Sequence, residues 1–377
     1  MNATDLKRKY SYYPIGQQLK KIQASDPESS ATFGVSVSVS DTRIVVGASG
    51  KSTWTGAAYI FDTDGNQLAK IQAFDPPGTS DAEANDNFGQ SVAVSNTRIV
   101  VGALWENTTA TNAGSVYIFD INGNQIAKIQ ASDAENYDYF GTSVAVSDTR
   151  IVVGARGEDT TADGAGSAYI FDIDGNQLAK IQAFNPPGTS DAEANDQFGS
   201  SVAVSDTRIV VGAGSEDTTA TEAGSAYIFD IDGNEIAKIQ AFDPPGTNDA
   251  EEYDYFGDSV SVSDTRIVVG ARYEDTTAPN AGSAYIFDID GNGIAKIQAF
   301  DPPGTSDAQF NDYFGGSVAV SDTRIVVGAI QLYTTASKLG SAYIFSPGFS
   351  PFGDLCAYYD LGDPTVLDTN FSWSNYT

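Results

Sequence analysis

The sequence predicts an all-β chain folded as a six-bladed β-propeller of four-stranded antiparallel blades. Three observations predict it. The dipeptide Phe-Gly recurs at Phe33, Phe88, Phe140, Phe198, Phe256 and Phe314, at spacings of 55, 52, 58, 58 and 58 residues. Each recurrence opens a unit with four short β-type runs set apart by turn residues. No run carries the 3.6-residue period of an amphipathic helix. A repeat of this length with four strands describes a propeller blade.

The four runs can be taken in order. Run A is SVAV, run B is RIVVGA, run C is SAYIF and run D is LAKIQA. Runs A and B are joined by Ser-Asp-Thr, short enough only for a tight hairpin. Runs C and D are joined through Asp-Gly or Asn-Gly, the strongest short hairpin signal. The lead-ins to units two and four are near copies, which points to duplication of one unit.

The chain ends decide the blade count. GQQLKKIQA, residues 16–24, matches the D string GNQLAKIQA at seven of nine positions and stands before the first Phe-Gly. The sixth unit reaches Phe345 and then has no D string. The N-terminal strand is therefore expected to complete the last blade, which removes open sheet edges. The alternative is seven blades, with the tail and KYSYYP supplying degenerate strands. The domain reading is an arm over residues 1–15, the propeller over 16–345 and a non-repeat tail over 346–377.

Composition narrows function. Fifty acidic residues face 20 basic ones, a formal net charge of -30. Nucleic acid and anionic membranes need a positive surface, so neither is an expected partner. No apolar run approaches a membrane span, so no membrane insertion is expected. Histidine is absent and Cys356 is the single cysteine. Zinc sites of the His/Cys type and His-dependent nucleophilic catalysis are thereby excluded. The first residues carry charge but no apolar core, so they do not read as a secretory signal.

The recurring string FGxSVAVS…RIVVGA…GSAYIF resembles the FG-GAP repeat, known from the propeller of integrin α-chains and from bacterial and viral surface proteins. The resemblance covers about residues 16 to 345 and implies a propeller whose surface binds protein or other ligands. Integrin-like blades can carry a calcium loop between runs A and B. Here that link is only Ser-Asp-Thr, or Ser-Asn-Thr at Asn96, too short to wrap an ion needing six to eight oxygens. No cofactor and no metal-ligating residue is assigned. Calcium on the acidic loops is left open, against the reading that those acids form a solvated face.

Candidate binding residues fall on the B–C and D–A loops, which vary while the A–B and C–D turns do not. Trp54, Trp105, Tyr273 and Tyr333 stand among polar neighbours, and Arg156 opens the third B–C loop. These five are the candidate ligand contacts; the competing reading is that the rings pack on neighbouring loops. Tyr137, Tyr139, Tyr253, Tyr255 and Tyr313 read as packing residues. Arg43, Arg98, Arg150, Arg208, Arg266 and Arg324 follow the A–B turns and are expected to pair with the adjacent turn aspartates. The lysines of run D read as guards of the outer edge.

No catalytic residue is assigned, because the acids recur in every unit and no unit breaks pattern to build a unique pair. The chain reads as a non-enzymatic structural or binding module. The first placement is a phage virion, as an appendage or decoration protein held to other subunits by its arm and tail, its loop face meeting a host or partner. The alternative is a bacterial extracellular or cell-surface adhesion protein binding glycan or protein.

Overall fold

A computed structural model describes residues 20–330 and 341–346, apart from loop positions 76–78, 82, 186–187, 245, 302–304 and 307. The arm, the tail and Tyr333 lie outside the described residues.

Six antiparallel sheets follow one another along the chain, each ordered A-B-C-D, and the sixth has three strands. Blade 4 is representative. Its strands are Ser201–Val204, Arg208–Ala213, Ser225–Asp230 and Glu235–Ile239. Val202 pairs with Val211 and Val211 with Tyr227, so the β-branched and aromatic residues of one face line up across the sheet. Strand A of each blade neighbours strand A of the next, which places the A strands around a common axis. The chain is thus a six-bladed β-propeller.

The core lies between blades. One buried cluster joins Ile170 and Ile181 of blade 3 to Phe198, Val211, Tyr227 and Phe229 of blade 4. Phe198 meets the rings of Tyr227 and Phe229 edge-on at 5.3 and 6.1 Å. Both motif glycines serve this interface. A Cβ at Gly212 would fall 1.9 Å from the carbonyl oxygen of Gly257 in the next blade, so no larger residue fits without backbone movement. Gly257 itself has φ +100°, a conformation other residues rarely adopt. In blades 2 to 5 the serine of the Phe-Gly-x-Ser string then staples the interface: Ser201 Oγ donates to Gly257 O at 2.6 Å, as Ser143 does to Gly199 at 2.8 Å.

Two features depart from the sequence reading. The D–A connections of four units contain a two-residue antiparallel ladder, such as Phe184–Asn185 with Thr189–Ser190. The turn composition Pro-Pro-Gly was its signal. The second departure is the N-terminal strand. Residues 20–24 lie against blade 1 as a D strand lies against the next blade. The turn glycine Gly65 approaches Ile22 as Gly123 approaches Ile71. Gln67 brackets Ser25 through both its amide atoms, as Gln177 brackets Ser132. Among the described residues, however, no ladder joins this segment to strand C of blade 6, Ser341–Phe345. Other D strings place an alanine beneath the turn glycine. Here Lys20 takes that place and its ammonium donates to Asn66 of blade 1 at 3.0 Å.

Candidate functional site

The propeller presents two different faces. The A–B turns close tightly, with Ser205 N–H donating to Arg208 O at 2.9 Å. Around the axis they line a cavity of about 360 Å³ walled by Asp41, Asn96, Asp148, Asp206, Asp264 and Asp322. In blades 1 to 4 the arginines that follow these turns take other partners than those aspartates. They reach sideways to the C–D turn of the next blade. Arg150 donates from Nε to Ile231 O at 3.1 Å and meets Asp232 at 3.0 Å; Arg208 does the same with Ile289 O and Asp290. The reason is reach: strand B starts beside the neighbouring blade's hairpin, and the carbonyl there is fixed. The C–D turns are hairpins, as expected. Asp230 Oδ1 accepts from Asp232 N and Asn234 N, and these amides outweigh burial and hold its carboxyl below the usual carboxylate range.

On the opposite face the B–C and D–A loops interlock. The lysine of strand D does not guard an edge. In blade 4, Lys238 lies 2.6 Å from Asp191 and 3.1 Å from Glu216, with all three side chains under one-tenth exposed. Tyr227 donates to Asp191 at 2.6 Å and Ser225 to Glu216 at 2.6 Å. The set recurs at Lys128 with Asp81 and Glu106, and at Lys296 with Asp249 and Glu274; at Lys180 the aspartate, Asp133, is more open. The glutamates read from sequence as a solvated acidic face are therefore buried structural groups. Their neighbours Asp159, Asp217 and Asp275 are exposed. Inward lysines follow from the pleat, since each faces the strand-C tyrosine it crosses, as Lys238 does Tyr227.

A second buried acid sits beside each set. Asp86, Asp138, Asp196 and Asp254 are all at most 2 % exposed. In each, one carboxylate oxygen accepts a backbone N–H three residues upstream, as Asp196 does from Glu193 at 2.7 Å. Burial, helped by the charge of the adjacent glutamate, pushes Asp86, Asp196 and Asp254 up to about 7 and Asp138 to about 6.

The candidate ligand contacts separate into groups. Trp54 and Trp105 are 44 % and 40 % exposed and flank one short segment: Asn87 N–H donates to Trp54 O, and Trp105 N–H donates to Asp86 O. Both rings stand open on the loop face between blades 1 and 2. Tyr273 lies among rings, 5.2 Å from Tyr255 and 5.1 Å from Tyr313. Arg156 lies over the ring of Tyr139 at 5.6 Å. Of the loop tyrosines read as packing residues, Tyr313 is buried, Tyr139 and Tyr255 are partly so, and Tyr137 and Tyr253 are more than half exposed.

One constellation went unread in the sequence. The position after Phe-Gly holds Val35, Gln90, Thr142, Ser200, Asp258 and Gly316. These residues start the A strands, so they surround the axis on the loop face. Asp258 alone is charged, and its Oδ2 lies 2.7 Å from Arg272 Nε. Burial pushes the Asp258 carboxyl up, and the charges of Arg272 and Arg156 pull it back. Here the repeat is broken locally: blades 3 and 5 supply arginines and blade 5 a single aspartate. The signal was present in the one variable position of an otherwise repeated string.

Among the described residues, no group of three or more acidic or sulfur side chains is placed to hold a metal ion. No described helix is long and apolar enough to cross a membrane. The FG-GAP repeat family matches residues 17–61, 78–119, 124–171, 188–229, 246–287 and 305–345, more than half of the chain and one segment per blade. No curated protein shows significant similarity to the chain.

Proposed function

The chain belongs to the FG-GAP repeat family, and from that premise we propose that it is a non-enzymatic structural and binding propeller of a phage virion, an appendage or decoration protein whose loop face meets a host or partner. One observation carries the binding role. Departures from the repeat collect on the B–C and D–A loops, where Trp54 and Trp105 stand open over a rigid scaffold. The buried acids support the non-enzymatic reading. Each glutamate of the lysine sets is saturated by lysine, serine and threonine partners, as Glu216 is by Lys238, Ser225 and Thr218. The virion placement is supported by a fold that needs no disulfide, the chain having one cysteine, so it can assemble in a reducing cytoplasm before release. Partners through the arm and the tail belong to the same proposal.

A second reading, a bacterial surface adhesion protein, is favoured by the same two tryptophans, since paired open indoles suit glycans. Labelling purified particles with an antibody to the chain separates the two. Label on the particle is expected; recovery of the chain only as free protein in the medium overturns the virion placement. Trp54→Ala and Trp105→Ala are each expected to weaken attachment to the host surface by about tenfold. Unchanged attachment removes them as contacts.

A further inference from the structure

We propose that the axial mouth of the loop face binds the carboxylate of an acidic sugar, with Arg156 as the principal anion contact and Arg272 as the second. This rests on the reading of the loop face as a binding surface and names the site and ligand chemistry on it.

The chain has 20 basic residues against 50 acidic, and its buried lysines are spent on carboxylates. Arg156 is different. It is partly buried and makes no ion pair or hydrogen bond among the described residues; its neighbour is the Tyr139 ring. Gly157 makes that stacking possible, because a Cβ there would fall 2.8 Å from Tyr139 Cδ2. A guanidinium held over an aromatic ring has its rotamer restricted. The five N–H donors of this arginine are left for a ligand.

Arg272 lies two blades on. It is fixed by Asp258 at 2.7 Å and by the Tyr273 ring at 4.8 Å. Between the two arginines, blade 4 contributes Gly214, where others contribute a side chain. A Cβ at 214 would come 3.3 Å from Asp258 Oδ1, so the glycine lets Asp258 lie across toward Arg272. Arg156, Gly214 and Arg272 hold the same repeat position in three successive blades, the first after the Gly-Ala of strand B, which sets the two arginines around one axis. Among the described residues, Arg156 and Arg272 stand with Asp258 and with Glu222, which accepts from the Tyr255 hydroxyl, so this mouth is near neutral while five aspartates line the other.

Ligand class follows. An arginine fork matches a carboxylate bidentately. A polyanion would meet the field of a chain with net charge -30, whereas a single carboxylate meets mainly the local charge. The surround is aromatic and hydroxylic, with Tyr139, Tyr255, Tyr273 and Thr142, and it offers no free strand edge for a peptide backbone to pair with. Ring faces and hydroxyls suit a pyranose.

The test is calorimetric titration of the full chain with a uronic-acid disaccharide, its neutral hexose counterpart, an N-acetylated aspartyl peptide and heparin. Binding of the uronate alone is expected. Arg156→Gln is expected to lose about tenfold or more in affinity, with Arg156→Lys recovering only part, because it restores charge without the fork. Asp258→Asn reads the second contact: a smaller loss is expected as Arg272 is released. Equal binding of neutral and acidic disaccharides, tighter binding of the peptide or heparin, or no effect of Arg156→Gln in a variant with wild-type melting temperature each overturns the proposal. Host attachment that survives Arg156→Gln but is lost in Trp54→Ala leaves the loop-face reading standing and removes the mouth. Loss in neither variant removes both.

Discussion

In blade 4 two neighbouring buried acids, Asp196 and Glu216, accompany the Lys238–Asp191 pair; in blade 1 the same two positions hold Ala31 and Lys51. A third exchange accompanies them. Ser225, which donates to Glu216, corresponds to Ala57, which has no carboxylate to serve. Blades 2, 3 and 5 side with blade 4 at all three positions. Lys51 is 5 % exposed and answers a different set, Asp26 at 3.4 Å and Glu28 at 3.2 Å, while Lys70 holds Asp26 at 2.9 Å. The comparison teaches that the acid, the glutamate and the serine form one unit. When its neighbour is residues 20–28 rather than a full preceding blade, the unit is exchanged as a whole.

The largest expected effect comes from removing the central cation. Lys238→Met leaves Asp191 and Glu216 buried without their counter-charge and should cost about 3–5 kcal/mol. Lys70→Met in blade 1 should cost less than about 1 kcal/mol, because Asp26 retains Lys51 and is 44 % exposed. Urea unfolding of the two variants checks the contrast, and equal costs would break it.

The next effect is a coupling. Glu216→Lys alone places a cation against Lys238 and strands Ser225. Adding Asp196→Ala and Ser225→Ala transplants the blade 1 arrangement and should recover roughly 1 kcal/mol or more. Additive costs in a mutant cycle would show that the three exchanges in blade 1 are independent.

A third effect is the pH dependence. Asp86, Asp196 and Asp254, raised to about 7, and Asp138, raised to about 6, keep their protons in the folded state at pH values where the unfolded chain has lost them. Their contribution is fully present below the unfolded carboxylate value and is lost as pH rises through 6 to 7. Glu158, Glu216 and Glu274, which are lowered, lose their contribution only at more acid pH. Melting temperature should therefore fall between pH 5.5 and 8. Replacing the four aspartates with asparagine should flatten that slope, with blade 1 adding nothing because it has Ala31. A slope unchanged in the fourfold variant would remove the assignment.

Much of the fold was legible because it depends on neighbours in sequence. The Phe-Gly and Gly-Ala strings, the turn residues and the six-fold count carry over directly to blades and hairpins. What escaped lies across blades. Arg150 finds Asp232 at a separation of 82 residues, and no local pattern names that pair over the nearer Asp148. The pleat turns Lys238 inward, but its partner Asp191 arrives from the preceding loop, which strand alternation alone does not show. At the candidate site, Trp54 and Trp105 were legible as apolar rings in polar loops. Asp258 and Arg272 were not singled out, because each looks ordinary until the ring brings strand starts and loop starts to one axis. Tyr273 was picked for its ring, and its packing against Tyr255 and Tyr313 depends on two loops from different units.

The contact between motif glycines has a consequence for how such a chain can change over time. Gly212 meets Gly257 as Gly154 meets Gly199 and Gly270 meets Gly315, and the one side chain that bonds across each of these joints is the same serine. A joint that carries no label is indifferent to which blade stands on either side. Whole blades can then be copied, lost or exchanged by recombination without reworking an interface, while the loops above drift freely. The joint is not generic where residues 20–28 meet blade 1, and exchange of a blade there would need Lys20 and Lys51 reworked too.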